Sequence, residues 1–128
     1  MEELPKIELP ENYTPSEEEE YMNIQQLEYF NLKLQSMLAE LEKQELEYVT
    51  TYYSNEDSGN EKLIQRRKDR KGEIKEALEK IKLGTYGYCE GTGEEIGIER
   101  LKANLLATYC IEEQERLEKE KNVYNTEN

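Results

Sequence analysis

What most constrains this chain is an apolar seam at alternating three- and four-residue spacing that stops at a polar turn and then resumes. Leu27, Phe30, Leu34, Met37 and Leu41 carry its first part, and that spacing places them on one face of an α-helix, at the a and d positions of a coiled coil. Leu38 and Leu46 widen the stripe. Asn23 is a favoured N-cap, and Gln26 three residues later completes a capping box. Beyond Leu41 the seam turns polar and aromatic, through Gln44 and Tyr48 to Tyr52 and Tyr53. Asn55-Glu56-Asp57-Ser58-Gly59-Asn60 follows, rich in residues that accept left-handed or side-chain-bonded backbone. From Lys62 the seam returns as Ile64, Ile74, Leu78 and Ile81, with Arg67 and Lys71 in the intervening slots, until Gly84 ends it. The spacing predicts an antiparallel coiled-coil hairpin over 23–83 with its tip at about 55–61. Folding back at that tip brings Arg67 and Lys71 near Tyr48 and Glu45. The second arm, 61–83, spans roughly 34 Å at the α-helical rise.

With 128 residues, of which 37% are charged and 35% hydrophobic, the chain suits long exposed helices better than a compact enzyme core. No histidine is present. No Ser or Cys nucleophile is paired with an evident base, and no glycine loop is built to cradle phosphate, so no catalytic constellation assembles. There is no apolar run near the ~20 residues a bilayer requires and no signal-like start, which points to a soluble cytoplasmic protein. The net charge of −13 argues against direct binding to DNA or RNA, which needs a basic surface. That charge is uneven. Residues 1–22 hold eight Glu against Lys6, whereas 62–71 hold six Lys and Arg against Asp69. The basic stretch is either a docking face for an acidic protein or a solvated helix face. Pro5, Pro10 and Pro15 disfavour helix, and 1–22 reads as a flexible acidic tail. Ser16 with Glu19 offers a weaker, earlier capping box there.

Residues 84–128 form a different unit. Cys89-x2-Thr92 and Cys110-x2-Glu113, with the seventeen residues 93–109 between them, keep the frame of a zinc ribbon in which two of four ligands have changed. Two readings stand open: a metal-free remnant held by packing, or a Cys89/Cys110/Glu113 set with one open position. Thr92 is a poor zinc ligand because its hydroxyl stays protonated. No cofactor, or a weakly held zinc, is expected. A Cys89–Cys110 disulfide is conceivable, although in the cytosol it would stay reduced. Tyr86-Gly87-Tyr88 alternates like a strand, with Leu105–Tyr109 as its expected partner. Ile96, Ile98, Leu101 and Leu105 supply a small core, and helix returns near Glu112. The fold class is mainly α: a long helical hairpin, a ribbon-derived globule and a C-terminal helix.

Tyr86-Gly87-Tyr88-Cys89-Glu90, Gly93, Glu95-Ile96-Gly97-Ile98, Arg100-Leu101, Ala103, Ala107 and Cys110-Ile111 resemble the C-terminal module of the DksA/TraR family of bacterial transcription factors. Glu19-Glu20-Tyr21-Met22-Asn23, Gln26-Leu27 and Phe30 resemble the segment that opens the coiled coil in its longer, DksA-like members. The resemblance implies a monomer that binds RNA polymerase, inserting the hairpin into the secondary channel and modulating initiation. Glu56 and Asp57 become tip candidates, where a carboxylate near a polymerase magnesium would perturb its coordination; the alternative is an ordinary solvated turn. Arg66 and Arg100 match basic family positions. The chain departs from the family in its two missing cysteines, in a tip without the Asp-x-x-Asp-x-Ala pattern, and in arms shorter by about 10 Å of reach. Where the family places basic residues around the alarmone ppGpp, this chain has Glu73, Asn104 and Gln114. Weak or absent ppGpp synergy is therefore expected. Two further readings compete with this one: a redox- or metal-responsive switch through Cys89 and Cys110, and a structural coiled-coil adaptor.

Overall fold

The computed structural model describes residues 7–52 and 61–126, with side chains described except at 50–52 and 123–126. Four helices are present among the described residues: α1 (Ile24–Tyr52), α2 (Glu61–Leu83), α3 (Ile98–Ala103) and α4 (Ile111–Thr126). The two long helices pack on one another as the antiparallel hairpin that the seam spacing predicts. Its register is also the expected one, for Lys71 Nζ lies 3.3 Å from Glu45 and the Arg67 guanidinium stands 5.8 Å over the Tyr48 ring. The tip at 55–60, including Glu56 and Asp57, lies outside the described residues.

The start of α1 is fixed by two reciprocal side-chain bonds. Asn23 Oδ1 accepts from the Gln26 N–H at 2.8 Å, and Gln26 Oε1 accepts from the Met22 N–H at 2.7 Å. The box thus closes one residue further back than the usual N-cap amide, because Met22 takes a left-handed backbone (φ 53°). The end of α2 is a Schellman motif. Gly84 adopts φ 79°, its N–H donates to Ile81 O, and the Thr85 N–H donates to Lys80 O.

One apolar cluster joins the base of the hairpin to the C-terminal module. Phe30, Leu34, Ile74, Ala77 and Ile81 meet Tyr86, Ile96, Ile98, Leu101 and Ala107 in it. Each large side chain removed from water there contributes roughly 1.5–3 kcal/mol. The expected core of Ile96, Ile98 and Leu101 is buried, with Leu105 packed at its edge.

Two expectations need correction. The module has no strand pairing of the anticipated kind among the described residues. Tyr88 forms an isolated bridge with Glu95 instead, and the Leu105–Tyr109 segment is joined to the 86–90 segment by one backbone bond, from the Glu90 N–H to Thr108 O at 2.8 Å. Gly87, Gly93 and Gly97 all take positive φ, which turns the chain before a ladder can extend. Nor is the whole of 1–22 a free tail, since residues 13–22 form a strap packed across the module. Pro15 is fully buried. The Tyr21 hydroxyl donates to Gly87 O at 2.7 Å and accepts from the Gly97 N–H at 3.0 Å. Only the Glu19 half of the Ser16–Glu19 box forms, its carboxylate accepting from the Ser16 N–H at 2.9 Å, and it sits on a single turn rather than on a helix.

Candidate functional site: a two-thiol knuckle beneath an exposed hairpin

The first knuckle is shaped by backbone bonds. The Gly93 N–H donates to Cys89 O at 2.8 Å and the Cys89 N–H to Glu94 O at 2.7 Å. Cys89 and Cys110 are free thiols, both buried. Thr92 Oγ1 lies 3.9 Å from Cys110 Sγ. Burial acts to raise the Cys89 pKa, but hydrogen bonds from the Thr92 hydroxyl and from the Cys110, Thr92 and Gly91 backbones outweigh it and bring it down to about 7.

Glu113 is placed for a different task from the one its spacing suggests. Arg116, three residues on along α4, grips its carboxylate through Nη2 at 2.6 Å and Nε at 3.1 and 3.2 Å. That hydrogen-bonded guanidinium also holds the Glu113 carboxyl below its ordinary range. The Glu113 side chain packs so closely on Gly91 that a Cβ there would fall 2.7 Å from its Cγ. Among the described residues, no three His, Cys, Asp or Glu side chains are grouped to hold a metal. Two thiols, a hydroxyl and a carboxylate already claimed by Arg116 do not make the four-donor tetrahedral set that structural zinc requires. Zinc does not fit this donor set.

Of the other candidates, Arg66 is exposed on α2. Arg100 is half-buried and tethered, its Nε donating to Tyr109 O at 3.0 Å. Glu73 lines a cavity of about 280 Å³ between α2 and the module, together with Glu76, Lys80, Tyr86 and Glu90. Lys80 is paired with Glu90 there. Asn104 caps α3 and accepts from the Leu106 N–H at 3.1 Å, while Gln114 donates to Glu118 at 3.0 Å. At the far end of the hairpin Leu46, Val49, Leu63 and Ile64 stay exposed, beside the basic run Arg66, Arg67, Lys68, Arg70 and Lys71. No helix among the described residues is long and apolar enough to cross a membrane.

Sequence reasoning missed the roles of Tyr21 and Arg116, and a second role of Gln26 beyond its capping box. Gln26 is fully buried and, besides closing the box, donates to Ser16 O at 3.1 Å, which ties the strap to α1. The i,i+3 spacing of Glu113 and Arg116 on a helix face was a readable signal for their pairing.

Residues 84–119 match the family model described as the prokaryotic dksA/traR C4-type zinc finger. The RNA polymerase-binding transcription factor DksA of Caulobacter vibrioides is 38% identical to this chain, over 88% of this chain and 90% of that protein. The factor of the same name from Escherichia coli K12 is 31% identical over 80% of this chain and 78% of its own length. Among solved structures, transcription factor DksA2 from Pseudomonas aeruginosa superposes with a TM-score of 0.70 at 32% identity, covering 80% of this chain and 90% of that one. Hairpin, module and strap lie within a relationship that extends over nearly the whole chain, and the chain belongs to the DksA/TraR family.

Proposed function

We propose that this protein regulates transcription by binding bacterial RNA polymerase, entering the secondary channel with its helical hairpin and modulating initiation at promoters. The observation that carries this reading is the far half of the hairpin, where Leu46, Val49, Leu63 and Ile64 remain exposed beside a basic face. A two-helix rod that leaves apolar and cationic side chains uncovered at its far end is suited to docking in a narrow, acidic site. Relatives named for polymerase binding supply the partner. Residues 23–83 act as the probe and 84–128 as the module at its base, with Arg66 and Arg100 as the candidate polymerase contacts. The protein works as a cytoplasmic monomer without direct contact to DNA, and catalyses no reaction of its own.

In this reading the response to ppGpp is weak or absent. Glu73, Asn104 and Gln114 offer no cation to a pyrophosphate. Glu73, Glu76 and Glu90 line the nearest cavity, and its one lysine, Lys80, is already paired. An anion brought there meets like charge.

The test is binding of the full chain to purified RNA polymerase core, with a known secondary-channel protein as competitor. Competitive loss of binding is expected. Binding that survives saturating competitor would remove the channel from the proposal. Glu56→Ala and Asp57→Ala then test the tip: promoter-complex lifetime should change while polymerase affinity holds. A normal ppGpp response in the same assay would overturn the alarmone part.

A further inference from the structure

The outer face of α1 carries a second seam that the hairpin does not use. Leu32, Ser36, Ala39, Lys43 and Leu46 recur at the same alternating three- and four-residue spacing as the core seam, but the helical period sets them on the side of α1 opposite Phe30 and Leu34. All five are exposed. Ala39 stands midway between the two leucines. At the end nearer the base, the segment that leads into the strap leaves a cavity of about 430 Å³ against the helix, lined among others by Leu9, Pro10, Tyr13, Tyr29, Leu32 and Ser36. At the other end Leu46, 65% exposed, is the most uncovered of the large hydrophobic side chains among the described residues. A knob and a largely apolar hole thus sit on one helix face at equal distances from a small residue.

We propose that this face pairs with the same face of a second copy of the chain, antiparallel about a two-fold axis at Ala39. Such an axis brings Leu46 of each copy level with Leu32 of the other, over the cavity beside Tyr29 and Ser36. One complementary contact is then made twice, as an isologous interface requires. The small side chain of Ala39 at the crossing lets the helix axes approach to about 8 Å. The stripe from Leu32 to Leu46 is only one helix wide and about 21 Å long at the α-helical rise, and the net charge of −13 on each copy opposes the encounter. Pairing therefore belongs to high protein concentration and strengthens with salt, which screens that repulsion. On the polymerase-binding proposal the paired form is a resting state, because Leu46 is then covered; the pairing itself does not depend on that proposal.

The test is sedimentation equilibrium of the reduced full chain from micromolar to near-millimolar concentration, at low and high salt. The mass should rise from 15.2 kDa toward twice that value, and do so at lower protein concentration in high salt. In a mixture of isotope-labelled and unlabelled wild-type chains, NMR should find intermolecular contacts from the Leu46 methyl groups to Tyr29 and Leu32. Ala39→Glu sets two carboxylates against each other on the axis, and Leu46→Lys removes the knob. Each should abolish the dimer while far-UV circular dichroism keeps its helical signal, since both positions are exposed. A mass that stays at the monomer value throughout, intermolecular contacts from another surface in place of Leu46, or a dimer that survives Ala39→Glu would each overturn the proposal. The wild-type sedimentation and NMR results decide the matter even if a variant fails to fold. None of these readouts involves polymerase, so a failed pairing leaves the polymerase reading standing, and the reverse holds.

Discussion

At the base of the hairpin, Phe30, Leu34 and Ile74 are 0% exposed, whereas further out along the same two helices Leu46, Val49, Leu63 and Ile64 keep between 39% and 65% of their surface. The spacing of apolar residues is helical in both regions. What differs is the third partner. At the base the module and the strap lie over the helix pair and close the core, while further out two helices face only each other and bury no more than a stripe between them. Stability and exposure therefore divide along one element: the base holds the fold, and the far arms leave side chains uncovered.

The largest test of that separation is a matched pair of truncations. Leu34→Ala should cost about 2–5 kcal/mol, the range for deleting a buried leucine whose cavity cannot fully collapse. Leu46→Ala should stay within about 0.5 kcal/mol, as for exposed positions. Urea denaturation followed by far-UV circular dichroism measures both. Similar losses would mean that the far arms share the core, and the contrast would be gone. The polymerase reading makes the reverse demand, since Leu46→Ala should weaken binding while leaving the midpoint where it was.

The strap supplies the next largest effect. Removing the Tyr21 hydroxyl in Tyr21→Phe deprives the Gly97 N–H of its acceptor and Gly87 O of one of two donors, the other being the Ile96 N–H. These bonds are part-buried, so the loss should fall toward the low end of the about 1–3 kcal/mol that a fully buried unpaired partner costs. The loss should appear as a lower unfolding midpoint, with α1–α2 pairing at Lys71 and Glu45 unchanged by NMR. Gly87 is itself constrained by this arrangement, since at φ 92° an added Cβ would come within 3.1 Å of Met22 Sδ and of the Tyr21 hydroxyl.

Much of this was legible in the sequence, and the division follows the range of the interactions. The seam from Leu27 to Leu41, the Asn23 cap and the Gly84 stop are local patterns, and all stand as read. Even the pairing of Arg67 and Lys71 with Tyr48 and Glu45 followed from folding one periodic seam back on itself. Illegible were the contacts closed between residues remote in the chain, such as Tyr21 with Gly87 and Gly97. Pro10 and Pro15 correctly disfavoured helix around them but said nothing about docking, because Pro15 is buried by tertiary packing. At the knuckle, ligand spacing offered Glu113 as a donor but could not show that Arg116 grips its carboxylate. A ligand count takes no account of such competitors.

A smaller effect, of opposite sign, sits midway along the hairpin. Gly72 lies within α2, and a Cβ built on it meets nothing within 4 Å. Gly72→Ala should therefore stabilise the arm by up to about 1 kcal/mol, with slower amide exchange around residues 68–76. If the gain spread equally into the module, base and arms would have to unfold as one unit. A gain confined to the arm would sharpen the distinction between them.

The smallest expected effect is a pH dependence confined to the strap. Glu19 accepts from the Tyr13 hydroxyl at 2.7 Å and from the Ser16 N–H and hydroxyl at 2.9 and 3.2 Å. The Tyr13 bond is the main cause of a carboxyl pKa below its ordinary value. A pKa depressed in the folded state stabilises the fold above the unfolded carboxyl value of about 4.3, and that contribution disappears as pH falls through the folded value. Amides of residues 13–23 should thus lose exchange protection on the acid side, while those of 40–48, beyond the strap, do not follow. Glu19→Gln should remove the acid-side slope and leave Tyr21 in place. Parallel loss of protection in both segments would show that the strap and the far arms respond to acid as one body.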